Sequence, residues 1–465
     1  MSMKKLFSCC LIVVLSSVCF AQNEDSVFIK RISDYILVNG KAYDDLRVLT
    51  KNVGARLSGS AGMYKAEAWG LKTMQEAGAD NAWLQECMVP HWVRGGKDEA
   101  TATTAIRPEG ANGLLIKMKL NVLALGNSLG SKRPITADVI EIKDFAHLEA
   151  KKDLVKDKIV FYNYAFNKTY VNTFLAYRDA SPYRGQGPSR AVKYGAAAVI
   201  VRSMSESTDN NPHTGSTVYN DSFPKIPAAA IGLQDADWLS NALKEQTVSV
   251  TLYTHGKMLP DTIAHNVIGE LKGTEFPNEY ITIGGHLDSW DPAEGAHDDG
   301  AGCVQTIEIL RTLKALGYNP KHTIRFVLFA NEENGGRGGN KYADEAKAKN
   351  EKHIFALESD AGGFTPRGFG ITASESQYQK VLAWKNLLAP YGATEINRGG
   401  GGSDIGPLNR SQGTPLAGLS PDSQRYFDIH HARNDVFENV NKRELLLGAV
   451  NMAALVYLVD KYSLP

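Results

Sequence analysis

The sequence predicts an α/β fold: a mixed, mostly parallel sheet flanked by helices and interrupted by an inserted β-rich domain. Three observations predict it. Two short apolar runs, residues 280–283 and 323–329, read as buried strands bounded by glycine or polar punctuation. Between them, residues 302–316 carry Val304, Ile307, Leu310 and Leu313 at helical spacing and stop at Gly317, a good closing residue for a helix. That is a strand–helix–strand unit, the building block of a parallel sheet. Third, the texture changes between about Asn121 and Thr254, where short strands and Gly/Pro/Ser-rich turns replace it, and returns after His265.

The elements follow in chain order. Lys4 and Lys5 precede an apolar run from Leu6 to Phe20, too short for a membrane span, and Ala21 offers a cleavage point after a small residue. Residues 1–21 therefore read as a secretory signal peptide, which predicts an exported chain, secreted or periplasmic. No later apolar run reads as long enough to cross a bilayer. Residues 22–120 form the first part of the main domain. Within them 30–80 look helical, 82–93 (WLQECMVPHWV) look like a strand, and another strand pair lies near 113–118. Residues 121–255 form the insertion, with strands expected at ADVIEI, KIVFYNY, AAAVIVRS and VSVTLYT. The stretch 181–188 (SPYRGQGP) reads as its most turn-rich loop, with Tyr183 and Arg184 expected at the solvent. Residues 256–465 complete the main domain, with strands at 353–358 and 414–419 and helices at about 376–390 and 441–461.

At 465 residues the chain exceeds one ordinary core, so two domains are expected. Lysine plus arginine and aspartate plus glutamate both number 51, so no global field recruits nucleic acid or an anionic membrane. Removal of the leader would leave Cys87 and Cys303, which can form one disulfide at most and no framework.

Potential metal ligands crowd the chain after residue 280: His286, Asp288, His297, Asp298, Asp299, Glu332, Glu333, Asp360, Asp404, His430 and His431. Several fall just beyond the ends of expected strands, the crevice where open α/β sheets build their sites. Crowded carboxylates repel and raise one another's pKa. A dication removes that conflict, and mixed imidazole and carboxylate ligation suits zinc. The HExxH helix of single-zinc proteases is missing from the sequence.

The ordered motifs GGHLDSW, GAHDDGAG, FANEENGGRG, ESDAGG, GGGGSDIGPL and YFDIHHARND resemble the zinc-dependent aminopeptidase family of two-metal exopeptidases, over essentially the whole mature chain. The insertion, including IPAAAI, resembles a protease-associated domain. The segment 89–95 (VPHWVRG) and the Asp404-Ile405 pair point to one branch of that family; many other members carry a histidine where this chain has Ile405.

The resemblance implies two zinc ions per chain. His286 and Asp360 would hold one, Glu333 and His431 the other, and Asp298 would bridge them. Glu332 would be the general base toward a metal-bridging water, and His430 would face the substrate and donate to the developing oxyanion. Asp288 would orient the His286 imidazole from behind, with Asp404 in a similar supporting position. Gly400, Gly401 and Ser403 would form a loop close to the substrate. The expected activity is exopeptidase action on short peptides, dipeptides with free termini above all, and the resemblance also implies a homodimer. General aminopeptidase action on longer peptides, glutaminyl cyclisation, and a catalytically inactive binding role are the alternatives.

Overall fold

The computed structural model describes residues 24–106 and 114–464, so the leader lies outside the described residues. The main sheet has eight strands among them, in the spatial order Asn81–Val93, Lys257–Leu271, His322–Phe329, Phe276–His286, Lys352–Glu358, Leu416–Pro421, Pro366–Thr372 and Glu395–Arg398. The four central strands run parallel, and antiparallel partners flank them. The mixed, mostly parallel sheet is thus as expected.

Side-chain alternation divides the strands between two cores. Along His322–Phe329, Ile324, Phe326 and Leu328 face one side and Val327 and Phe329 the other. The first side is covered by the helices Ala61–Glu76, Ala301–Ala315 and Lys442–Tyr462, the second by Arg337–Ala348 and Gly406–Gln412. Helix Ala301–Ala315 ends as its sequence indicates, with Gly317 at φ +67°. Lys442–Tyr462 departs from expectation, being long and apolar enough to cross a bilayer. Its residues from Leu445 to Asp460 are almost all buried inside the protein, which accounts for the apolar composition without a membrane.

A second eight-stranded sheet has the order Leu114–Leu120, Glu99–Ile106, Val248–Tyr253, Ile135–Ile142, Ile159–Tyr162, Ala198–Arg202, Ala228–Ile231 and Val122–Ala124. All four strands expected in the insertion are present. Two further strands join from upstream of Asn121, because Glu99–Ile106 pairs antiparallel with Val248–Tyr253. The second sheet therefore begins about twenty residues before the boundary drawn from texture. The stretch 181–188 is helical rather than a loop: it spans the end of helix Thr173–Gly185 and the start of Gly187–Val192. Asn172 caps the first helix by accepting from the Phe174 N–H, and Pro188 sits in the first turn of the second, where its missing N–H costs nothing. Cys87 and Cys303 are both buried and unpaired.

Candidate metal centre

The site forms where the parallel strands end. His286 is the last residue of the central strand Phe276–His286; Glu332 and Glu333 follow the neighbouring strand on one side, and Glu358 and Asp360 close the other. A loop after Leu416–Pro421 brings His430 and His431 over the same edge.

Asp298 stands at the centre. Its Oδ1 lies 3.2 Å from His286 Nε2, and its Oδ2 lies 3.1 Å from His431 Nε2. Each imidazole nitrogen has one further carboxylate: Asp360 Oδ1 at 3.4 Å from His286 and Glu333 Oε2 at 3.1 Å from His431. The expected ligands thus fall into two groups that share Asp298. His430 Nε2 is farther from Asp298, at 3.6 Å, and its ring stacks on His431 with centroids 3.5 Å apart. His430 is only 7% exposed, yet it lines the cavity that opens over the cluster.

The donor set suits a pair of zinc ions. Glu333 Oε1 is buried with no hydrogen-bond partner among the described residues, and ligand atoms of His286, Asp298 and Glu333 lie within 4.8 Å of one another. No Lys or Arg side chain pairs with Asp298, Glu333 or Asp360 among the described residues. Imidazole and carboxylate oxygen are the ligands zinc takes in such sites.

The electrostatics record the same crowding. Burial, and then the neighbouring Asp298 charge, pushes the Glu333 carboxyl up to about 8. Burial moves Asp360 to about 6 and Asp288 to about 6. Burial would also raise Asp298, but its hydrogen bonds to His286 and His431 hold it well below the usual range. Burial lowers His430 well below the usual imidazole value, reinforced by the neighbouring His431 charge. A neutral His430 offers an N–H rather than a cation to the cavity.

Behind the ligands, main-chain donors and acceptors fix the geometry. Asp299 accepts from the His286 N–H (3.0 Å) through Oδ2 and from the Gly302 N–H (2.9 Å) through Oδ1, so it ties the end of the central strand to the start of the following helix. His297 donates through Nε2 to the Asn439 carbonyl and accepts at Nδ1 from the Gly363 N–H, which makes it structural. Asp435 accepts from the His297 and Asp298 N–H groups, holding Asp298 in place. Asp288 meets the His286 ring through its main chain. Its main-chain carbonyl, at 3.0 Å, takes the His286 Nδ1 proton, while its carboxylate, at 3.8 Å from that nitrogen, accepts from the Glu332 N–H. The carbonyl is the closer acceptor, so the carboxylate is left to hold the Glu332 main chain.

Glu332 lines the cavity of about 880 Å³, as do Gly400, Gly401 and Ser403. Asp404 does not reach it. Its carboxylate is buried without a partner, and its N–H donates to Glu358 Oε2. Glu358 is a wall residue that sequence reasoning missed, although it stands two positions before Asp360. Gly402 packs against it so closely that a Cβ there would lie 1.9 Å from the Glu358 carboxyl carbon. Arg56 was also missed: wholly buried, it donates to the carbonyls of Leu287, Glu294 and Gly295 and folds the loop that leads to Asp298. It opens a turn-rich stretch, residues 56–62, and nothing in that texture signals the role.

The second sheet's helix Thr173–Gly185 roofs the cavity. Tyr177 stacks on Phe427 (4.7 Å) and meets the His430 ring edge-on (4.9 Å). Arg184 is buried against the site rather than exposed. Tyr183 turns away into an aromatic group with Phe145 and Tyr164.

Comparison with known proteins agrees with this geometry. Residues 266–456 match the model of peptidase family M28. The chain is 33% identical to carboxypeptidase Q of Mus musculus over 421 residues, covering 90% of this chain and 85% of the relative. Carboxypeptidase Q of Homo sapiens matches at 33% over 427 residues, 91% and 86% of the two chains. Among solved structures, a peptidase M28 precursor from Shewanella amazonensis SB2B superposes with a TM-score of 0.88 at 30% identity, covering 96% of this chain and 99% of that one. A zinc aminopeptidase from Bacillus subtilis shares the fold, with a TM-score of 0.63 at 22% identity over 90% and 94% of the chains.

Proposed function

The chain belongs to peptidase family M28 and is a zinc metallopeptidase, and from that premise we propose that it is an exported two-zinc exopeptidase of short peptides, dipeptides with free termini first among them. The observation that carries the reading is Asp298, one oxygen turned to the His286–Asp360 group and the other to the His431–Glu333 group. Bound in these two groups, zinc would supply Lewis acidity toward the scissile carbonyl and toward water.

The chain's own residues do the rest. Glu332, held at its N–H by Asp288 and facing the cavity, takes the proton of the attacking water and returns it to the leaving amine. His430, neutral and directed into the cavity, donates to the oxygen on which charge develops. The glycine loop at 399–402 lets the peptide backbone approach closely. Gly400 and Gly401 have φ of +128° and +132°, a region that disfavours side chains. The second sheet, read as a protease-associated domain, roofs the site with Phe174 and Tyr177. Export rests on the leader, and the homodimer on family resemblance.

One observation favours a second reading, general aminopeptidase action. A cavity of about 880 Å³ holds more than a dipeptide needs. Hydrolysis of unblocked dipeptides, N-blocked dipeptides, longer peptides and an N-terminal glutaminyl peptide, with zinc quantified per chain, separates the readings. Cleavage confined to free dipeptides at about two zincs per chain is the expected result. Efficient trimming of longer peptides makes the chain a general aminopeptidase, and zinc binding without hydrolysis overturns the peptidase assignment.

A further inference from the structure

A buried guanidinium at the edge of the metal centre has no carboxylate partner among the described residues. Arg184, at the end of helix Thr173–Gly185, is 8% exposed. Its Nη1 donates to the Thr214 carbonyl at 3.1 Å, its Nη2 donates to the Tyr177 hydroxyl, and its Nε is enclosed without an acceptor. Enclosing a cation without a counter-ion is expensive, and the cost is tolerated where the charge has work to do.

The carbonyl that Arg184 holds also faces Nδ1 of His431, at 3.2 Å. In return the Thr214 N–H donates to the His431 carbonyl at 3.0 Å. Thr214 therefore grips His431 at both its ring and its main chain. His431 Nε2 is directed at Asp298 and Glu333, so with an ion held at Nε2 the ring would carry its proton on Nδ1, and Thr214 is the acceptor placed for it. Thr214 is fixed within the second sheet's own framework: it is buried, and its hydroxyl donates to the Ala124 carbonyl at 2.9 Å. The next residue, Gly215, leaves the guanidinium its space, since a Cβ there would lie 2.4 Å from Arg184 Cζ. His286 has no such dependence, because its Nδ1 is held by the Asp288 carbonyl of the main sheet's own loop.

We propose that the inserted module completes one half of the metal centre. Arg184 is a positioning residue that pins the Thr214 carbonyl, and that carbonyl orients His431. Affinity for the ion at His431 and Glu333 depends on the module, whereas affinity for the ion at His286 and Asp360 does not. The proposal rests on the two-zinc reading but not on which peptide is cleaved.

The test is a cobalt(II) titration of the metal-free full-length chain, followed by visible absorption, with zinc affinities from chelator competition. Wild type is compared with Arg184→Met and Arg184→Lys, and folding is monitored by circular dichroism. Loss of an outer partner of a metal-bound histidine costs about 10–100-fold in metal affinity, so Arg184→Met should weaken one ion by that factor and leave the other unchanged. Arg184→Lys, which keeps the charge and a donor, should recover part of the loss. Wild-type affinity for both ions in folded Arg184→Met overturns the proposal, as does an equal loss at both ions. Should Arg184→Met not fold, wild-type affinity for both ions in Arg184→Lys overturns it equally. A wild-type chain that takes up no metal defeats the two-zinc reading itself. Selective loss together with cleavage of longer peptides leaves the proposal standing and revises only the substrate.

Discussion

Loading the metal centre should expel protons, and their number follows from the charges of its side chains. Burial would lower the His286 imidazole, but the Asp360 charge and the hydrogen bonds to Asp298 and Asp360 outweigh it and hold the group well above its ordinary value. The same contest at His431, won by Glu333 and Asp298, raises that imidazole too. In the metal-free chain at pH 7 the His286 ring is therefore cationic, and the His431–Glu333 pair holds one to two protons between its two groups. Asp298 is ionised and needs to lose nothing. A metal takes neutral imidazole and ionised carboxylate, so filling both groups should release roughly two to three protons per chain. Each released proton adds a factor of ten per pH unit, so the overall constant for binding both ions should rise by roughly 10²–10³ per pH unit near pH 7. Calorimetric titration of the metal-free chain with zinc, in buffers of different ionisation enthalpy, counts the protons from the slope of heat against buffer enthalpy. Asp298→Asn should lower the count, because it removes the charge shared by both rings. A slope of zero in wild type would refute the reasoning, since it would mean that both imidazoles are already neutral.

The metal-free chain should also lose stability as pH rises. Glu333 and Glu358, both pushed up to about 8 by burial, bind protons in the folded state that the unfolded chain has released, so stability falls between about pH 4.5 and 8. Thermal unfolding in chelator should show Tm falling from pH 5 to pH 8, and a rise would contradict the assignment. Glu332→Gln should retain zinc and lose about 10²–10⁴-fold in kcat, the usual worth of a positioned general base; near-normal turnover sinks that role. Gly402→Ala forces a methyl onto the Glu358 carboxyl, which should cost about 1–3 kcal/mol of stability and disturb the substrate loop. Unchanged denaturant unfolding would show that the loop yields freely.

The parts of the molecule legible in the sequence are those where side-chain chemistry and spacing do the specifying. The strand–helix–strand unit at 280–329 shows because buried parallel strands are continuous apolar runs and its helix has a 3.6-residue apolar period. The convergence of His286, Asp298, Glu333, Asp360 and His431 was foreshadowed by residue type, since few other roles crowd so many ligand groups at strand ends. Local texture misled at residues 181–188, where two prolines and two glycines read as a loop. Pro188 and Asn172 satisfy the helix starts there, and the surrounding packing overrode weak propensity. The boundary at 121 failed to capture Glu99–Ile106 because membership of a sheet is decided by a partner about 150 residues away.

What stayed invisible has a common physical character. The His286 ring is held by the Asp288 carbonyl and the His431 ring by the Thr214 carbonyl, and Arg56 works by donating to three more carbonyls. A carbonyl is offered by every residue, so its use leaves no mark on residue identity. A trace survives only where the carbonyl must itself be held by a distinctive side chain, as Arg184 holds Thr214, or where a neighbour must be small, as at Gly215. The buried Arg184, without a carboxylate partner among the described residues, thus bears on the site although it touches none of the clustered His, Asp and Glu side chains. On the proposed reading, deleting the insertion would remove the acceptor behind the His431 imidazole while leaving the one behind His286 intact.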